Sequence, residues 1–153
     1  MRSIELMVHN DATGSARVRE TLDHFAAEHG IDGKPLIQMQ VVLDEIISNI
    51  SKYGWSDGGV HEFRVRITLA DNVLAIEITD DGQPYDPRSA PPPPSPGPGG
   101  RRRPGGVGLH LVRQLVDGFD YKRVGRHNHV TLTKRCVADA GAATGNPDEE
   151  RRT

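Results

Sequence analysis

The sequence predicts a single α/β domain, and three observations carry that reading. Ala16 to His29 and Lys34 to Tyr53 repeat their apolar residues with the period of a helix. Phe63 to Leu69 and Val73 to Thr79 alternate with the period of a strand. Gly105 to Leu109 is a glycine-rich turn running into a third helical segment. A chain of 153 residues has the length of one domain with a real core. A net charge of -2 supplies no basic field for nucleic acid. Met1 to Asn10 lacks an apolar signal core, and no apolar run is long enough to span a bilayer. Cys136, the single cysteine, excludes an internal disulfide framework and a multi-cysteine zinc site. A soluble, cytoplasmic protein with neither nucleic acid nor membrane as partner is therefore expected.

Ser3 to Val8 has the apolar character of a first strand. In the first helix Val18, Leu22, Phe25 and Ala26 form one stripe, and Gly30 suits its C-cap. The second helix carries Pro35 in its first turn and Gly54 after its end. Its apolar stripe is Leu36, Met39, Leu43, Ile46, Ile47 and Ile50. Phe63, Val65, Ile67 and Leu69 form one face of the next strand, and Ala70-Asp71-Asn72 turns the chain into Val73 to Thr79. Pro87 to Pro104 holds eight of the eleven prolines and the Arg101-Arg102-Arg103 run. That composition excludes regular helix or sheet and suits either a lid or a disordered segment. The third helix runs from about Gly106 to near Gly118, followed by a hairpin of Phe119 to Val124 and Asn128 to Arg135. The expected domain is 1–136, with a disordered tail over 137–153.

Three segments carry chemistry. On a helix, Glu45 and Asn49 lie about 40° apart, so a carboxylate and an amide share one face at the edge of the apolar stripe. The pair can serve as a base and a Mg²⁺ ligand, since Mg²⁺ prefers oxygen donors and keeps several waters. It can equally be an ordinary solvated helix face. Asp80, at a strand end, can accept from the exocyclic amine of adenine, with Gly82 allowing close backbone approach; a plain Asp-Gly turn is the competing reading. Gly105-Gly106-Val107-Gly108 can wrap phosphate with backbone N–H groups at a helix N-terminus, or simply hinge and cap that helix. No Gly-Lys-Ser/Thr is present, and the glycines follow a proline-rich loop rather than a strand, so Walker A and Rossmann readings fail. Arg101 to Arg103 can clamp phosphate or merely solubilise a loop.

In combination, Glu45-x-x-x-Asn49, Asp80-x-Gly82 and Gly106-x-Gly108 resemble the N, G1 and G2 boxes of the GHKL (Bergerat-fold) ATPases. The chain is more similar still to the bacterial anti-sigma-factor serine kinases. It has Glu45 at the start of the first box and the run Asp80-Asp81-Gly82-Gln83-Pro84-Tyr85-Asp86-Pro87, and its terminal hairpin is also similar. The resemblance covers Ile4 to Arg135.

The resemblance implies a two-layer α/β sandwich, with helices on one face of a mixed, mainly antiparallel sheet and ATP held under a lid. It implies Glu45 as general base, Asn49 as Mg²⁺ ligand and Asp80 as adenine acceptor. Gly82, Gly106, Val107, Gly108, Leu109 and Thr131 complete the nucleotide-binding set. The lid's own phosphate contacts do not carry over, because Pro91-Pro92-Pro93-Pro94 and glycines dominate it. The implied function is an ATP- and Mg²⁺-dependent serine kinase that phosphorylates a STAS-type anti-sigma-factor antagonist, engages a sigma factor by partner switching, and works as a homodimer. The alternative is a nucleotide-gated binding module that transfers no phosphate. A histidine-kinase catalytic part fits less well, because that group has Asn where Glu45 stands.

Overall fold

The computed structural model describes residues 1–89 and 106–136. Most of the proline-rich segment, with Arg101 to Arg103, and the tail over 137–153 lie outside the described residues. Element order is β1 (Arg2–His9), α1 (Ala12–His29), α2 (Gly33–Tyr53), β2 (Glu62–Ala70), β3 (Val73–Asp80), a single 3-10 turn (Pro87–Ser89), α3 (Gly106–Leu115), β4 (Gly118–Val124) and β5 (His127–Arg135). Among the described residues five strands form one sheet in the order β1-β2-β3-β5-β4, and every pairing is antiparallel, where a mixed, mainly antiparallel sheet was expected. The architecture is the expected two-layer α/β sandwich. Among the described residues no helix is long and apolar enough to cross a membrane.

Strand alternation separates the two faces of the sheet. Leu6 and Val8 of β1, Phe63, Val65 and Ile67 of β2, Leu74, Ile76 and Ile78 of β3, and Val130 and Leu132 of β5 are buried. The helices answer with Val18, Leu22, Phe25 and Ala26 from α1 and Met39, Val42, Leu43, Ile46 and Ile47 from α2. Burial of each large aliphatic side chain stabilises the fold by about 1.5–3 kcal/mol. Parity matters most at the end of β3. Asp80 continues the series Leu74, Ile76, Ile78, so the strand delivers its carboxylate to the helix side of the sheet.

Three places differ from the sequence expectation by more than a residue or two, each for a local reason. α1 begins at Ala12, because the Asp11 carboxylate accepts from the N–H groups of Thr13 and Gly14 at 3.0 and 3.2 Å and caps the helix. The Thr13 hydroxyl, which donates to the same carboxylate oxygen, and then those backbone bonds hold the Asp11 carboxyl below its ordinary range. Gly14 is needed there, since a Cβ would fall 1.8 Å from the His9 carbonyl oxygen. α3 stops at Leu115 rather than near Gly118, because the next amide but one, on Asp117, donates to the Thr133 carbonyl at 2.9 Å and joins the sheet. Pro87–Ser89 forms a 3-10 turn where no regular structure was expected; the Asp86 carboxylate accepts from the Arg88 amide at 2.9 Å and closes it. The β2–β3 hairpin turns on Asp71 and Asn72, with φ of 52° and 65°. Asn and Asp tolerate that left-handed region better than other residues bearing a Cβ.

Candidate functional site

The cleft lies where the C-terminal half of α2 crosses the ends of β3 and β5. Ile46, Asn49, Ile50, Gly54, Asp80, Gln83, Tyr85, Pro87, Asn128 and Val130 line it, around roughly 370 Å³ of space that includes its open mouth. Its walls are mainly apolar, with Asn49, Asp80 and Asn128 as buried polar groups.

Asn49 is only 4% exposed, deeper than an edge position on an amphipathic helix. Its side-chain Nδ2 donates back to the Glu45 carbonyl at 2.7 Å, so the amide is fixed and its oxygen is the atom left for the cleft. That is the donor Mg²⁺ prefers, and the residue present fits the metal on chemical grounds. Glu45 sits one turn earlier on α2, half-buried, and is not among the residues lining the cleft.

Asp80 is equally buried, and one carboxylate oxygen carries two donors. Oδ1 accepts from the Gly82 N–H at 2.9 Å and from Asn128 Nδ2 at 3.0 Å. Burial pushes the Asp80 carboxyl above its usual range, with these two bonds opposing the shift. Oδ2 remains to accept from a ligand. The β3 exit loop is welded to the end of α2: Gln83 N–H donates to the Gly54 carbonyl at 2.7 Å, the Gln83 side chain donates to the Tyr53 carbonyl, and Trp55 Nε1 donates to Asp81 at 3.1 Å. The Trp55 ring stacks on His61, with centroids 4.6 Å apart and planes within 4°. Gly82 is required for a reason other than room for a ligand, since a Cβ there would fall 2.5 Å from the Gly54 carbonyl oxygen.

The structure thus brings Asn49 and Asp80 to one cleft, with Gly82 beside Asp80. Gly106, Val107, Gly108 and Leu109 form the first turn of α3, which packs against α2. Thr131 is a correction. It lies between the buried Val130 and Leu132, so strand alternation turns it to the opposite face of the sheet. There it lines a separate groove with Arg64, Arg66, Glu77 and Lys122. The polar β5 residue that reaches the cleft, beside Val130, is Asn128, for which the sequence analysis assigns no role. Its parity with Val130 and Leu132 was the signal that could have found it.

A buried amide and a buried carboxylate thus face one mainly apolar cleft in an α/β sandwich. Residues 8–134 match the model of the histidine kinase-like ATPase domain, and the chain belongs to that family. It is 28% identical over 140 residues to a protein of Bordetella bronchiseptica named serine/threonine-protein kinase BtrW, covering 90% of this chain and 96% of that one. Its fold is similar to the crystal structure of the RsbU and RsbW domains of Rv1364c from Mycobacterium tuberculosis, with a TM-score of 0.65 at 18% identity. That match covers 89% of this chain but only 33% of the longer one.

Proposed function

We propose that the protein is an ATP- and Mg²⁺-dependent serine-protein kinase that phosphorylates a STAS-type anti-sigma-factor antagonist. The observation that carries this reading is the placement of buried Asn49 and Asp80 on one cleft, with Glu45 a turn away on the same helix. The name of the Bordetella relative and the family membership support it. Asp80 accepts from the adenine amine through the oxygen not already bonded to Gly82 and Asn128. Tyr85 and Ile50 flank the base and exclude water. Asn49 would hold Mg²⁺ through its amide oxygen, and the ion would supply neutralisation of phosphate charge. Gly106 to Leu109 present the first turn of α3 toward phosphate. Glu45 takes the proton of the incoming serine hydroxyl. Phosphate on that serine then loosens the partner's packed interface by charge and desolvation, freeing the kinase for a sigma factor.

Incubation with ATP, Mg²⁺ and a STAS-type partner, followed by intact mass of the partner, tests the reading. A gain of one phosphoryl group on serine is expected. Tight nucleotide binding with an unmodified partner would instead establish a nucleotide-gated binding module. The working assembly is a homodimer, in keeping with exposed Ile4 and Met7 on β1, an edge strand of the sheet. Light scattering reads this directly, and a mass near that of one chain removes the dimer without touching the site.

A further inference from the structure

The polar centre of the cleft is a directional hydrogen-bond relay. Tyr121 of β4 donates its hydroxyl to Asn128 Oδ1 at 2.6 Å. Asn128 Nδ2 faces three acceptors: Asp80 Oδ1 at 3.0 Å, the Gln83 carbonyl at 2.9 Å and the Gly82 carbonyl at 3.5 Å. The Asn128 amide is 3% exposed. Turning it over would set its oxygen against three acceptors and leave the Tyr121 hydroxyl facing N–H, so its polarity is locked. Asp80 therefore always meets a donor from this side.

We propose that Asn128, oriented by Tyr121, is the specificity-determining residue of the purine site. By donating to Asp80 it keeps that carboxylate an acceptor, and so selects 6-amino purine nucleotides over 6-oxo ones. This rests on the nucleotide-site reading above. A protonated Asp80 would present O–H to the cleft and welcome the carbonyl of a 6-oxo purine. Burial favours that form, while the donors from Asn128 and Gly82 oppose it. The surrounding groups are mixed. Asp81 beside it also favours protonation, and Arg123 of β4 disfavours it while donating to the Gly82 carbonyl at 2.7 Å. Tyr85 lines the cleft, α2 contributes Asn49 and Gly54, and His129 of β5 lies across the strand.

The test compares affinities for ATP and ITP by calorimetry, at neutral and mildly acid pH, in the intact protein. ITP carries a 6-carbonyl where ATP has the amine. Asn128→Leu keeps the shape and removes the donor. Its ATP-over-ITP preference should fall by about tenfold or more, and further as pH drops. Circular dichroism checks its fold. If that variant does not fold, Asn128→Val decides, because valine suits a strand and carries no hydrogen-bonding group. The same fall is expected. A wild-type preference retained at both pH values in a folded variant overturns the relay while leaving the nucleotide site standing. A wild-type protein that binds neither nucleotide removes both.

Discussion

Glu45→Gln is expected to lower phosphoryl transfer by about 10²–10⁴-fold while leaving nucleotide affinity nearly unchanged. Two observations separate the effects. Glu45 is not part of the cleft wall, so its carboxylate does not hold the purine. What Asn49 needs from position 45 is the backbone carbonyl, bonded to its Nδ2 at 2.7 Å, and glutamine keeps that atom in place. The substitution removes only the capacity to take a proton. A loss of that size corresponds to about 3–5 kcal/mol of barrier. Single-turnover transfer to the partner, run beside calorimetry with ATP, provides the measurement. Wild-type transfer rates would exclude Glu45 as the base.

Asp80→Asn is expected to weaken ATP by about 10–100-fold, and its sign is set by the surroundings. The Gly82 N–H and Asn128 Nδ2 both donate to one oxygen of residue 80. An asparagine there must turn its own oxygen to those donors, which aims its NH₂ at the adenine amine. Donor then meets donor. The effect on the ligand-free fold runs the other way. The folded-state pKa of Asp80 is raised by burial, so the folded protein binds the proton more tightly than the unfolded chain. Stability from this group is greatest at acid pH and declines as pH rises from the ordinary carboxylate value through the raised one. The neutral asparagine escapes that decline. The variant should therefore melt no lower than wild type at neutral pH while binding ATP poorly. Thermal denaturation with and without ATP checks both signs, and equal calorimetric affinity of wild type and variant would dismiss Asp80 as the purine reader.

Much of this was legible because burial follows period. The stripe Val18, Leu22, Phe25, Ala26 and the strand face Phe63, Val65, Ile67 are core residues. Val42 was missed on α2, because the broad face of a helix on a sheet takes more positions than a narrow stripe. The same parity argument that places Asp80 in the cleft would have excluded Thr131 and chosen Asn128. Asn128 was passed over because it sits in a polar run, His127-Asn128-His129, that reads as a solvated hairpin end. The neighbour relation of β3 and β5 was not readable from pattern, since alternation marks faces and carries no strand order. Nor did any local signal announce that Gly82 answers to the Gly54 carbonyl. That contact joins residues far apart in the chain and exists only once α2 lies on the sheet.

The weld between α2 and the β3 exit loop also bears on the entropy of recognition. Gly54 to Gln83, Trp55 to Asp81 and the close seat of Gly82 hold the Asp80 end of the cleft together before any ligand arrives. Ordering a free side chain on binding costs about 0.5–1.5 kcal/mol, and groups already fixed avoid that cost. That end of the cleft is thus a rigid template anchored in the hydrophobic core through α2, and under the proposed function a bare nucleoside would meet a surface with little left to organise.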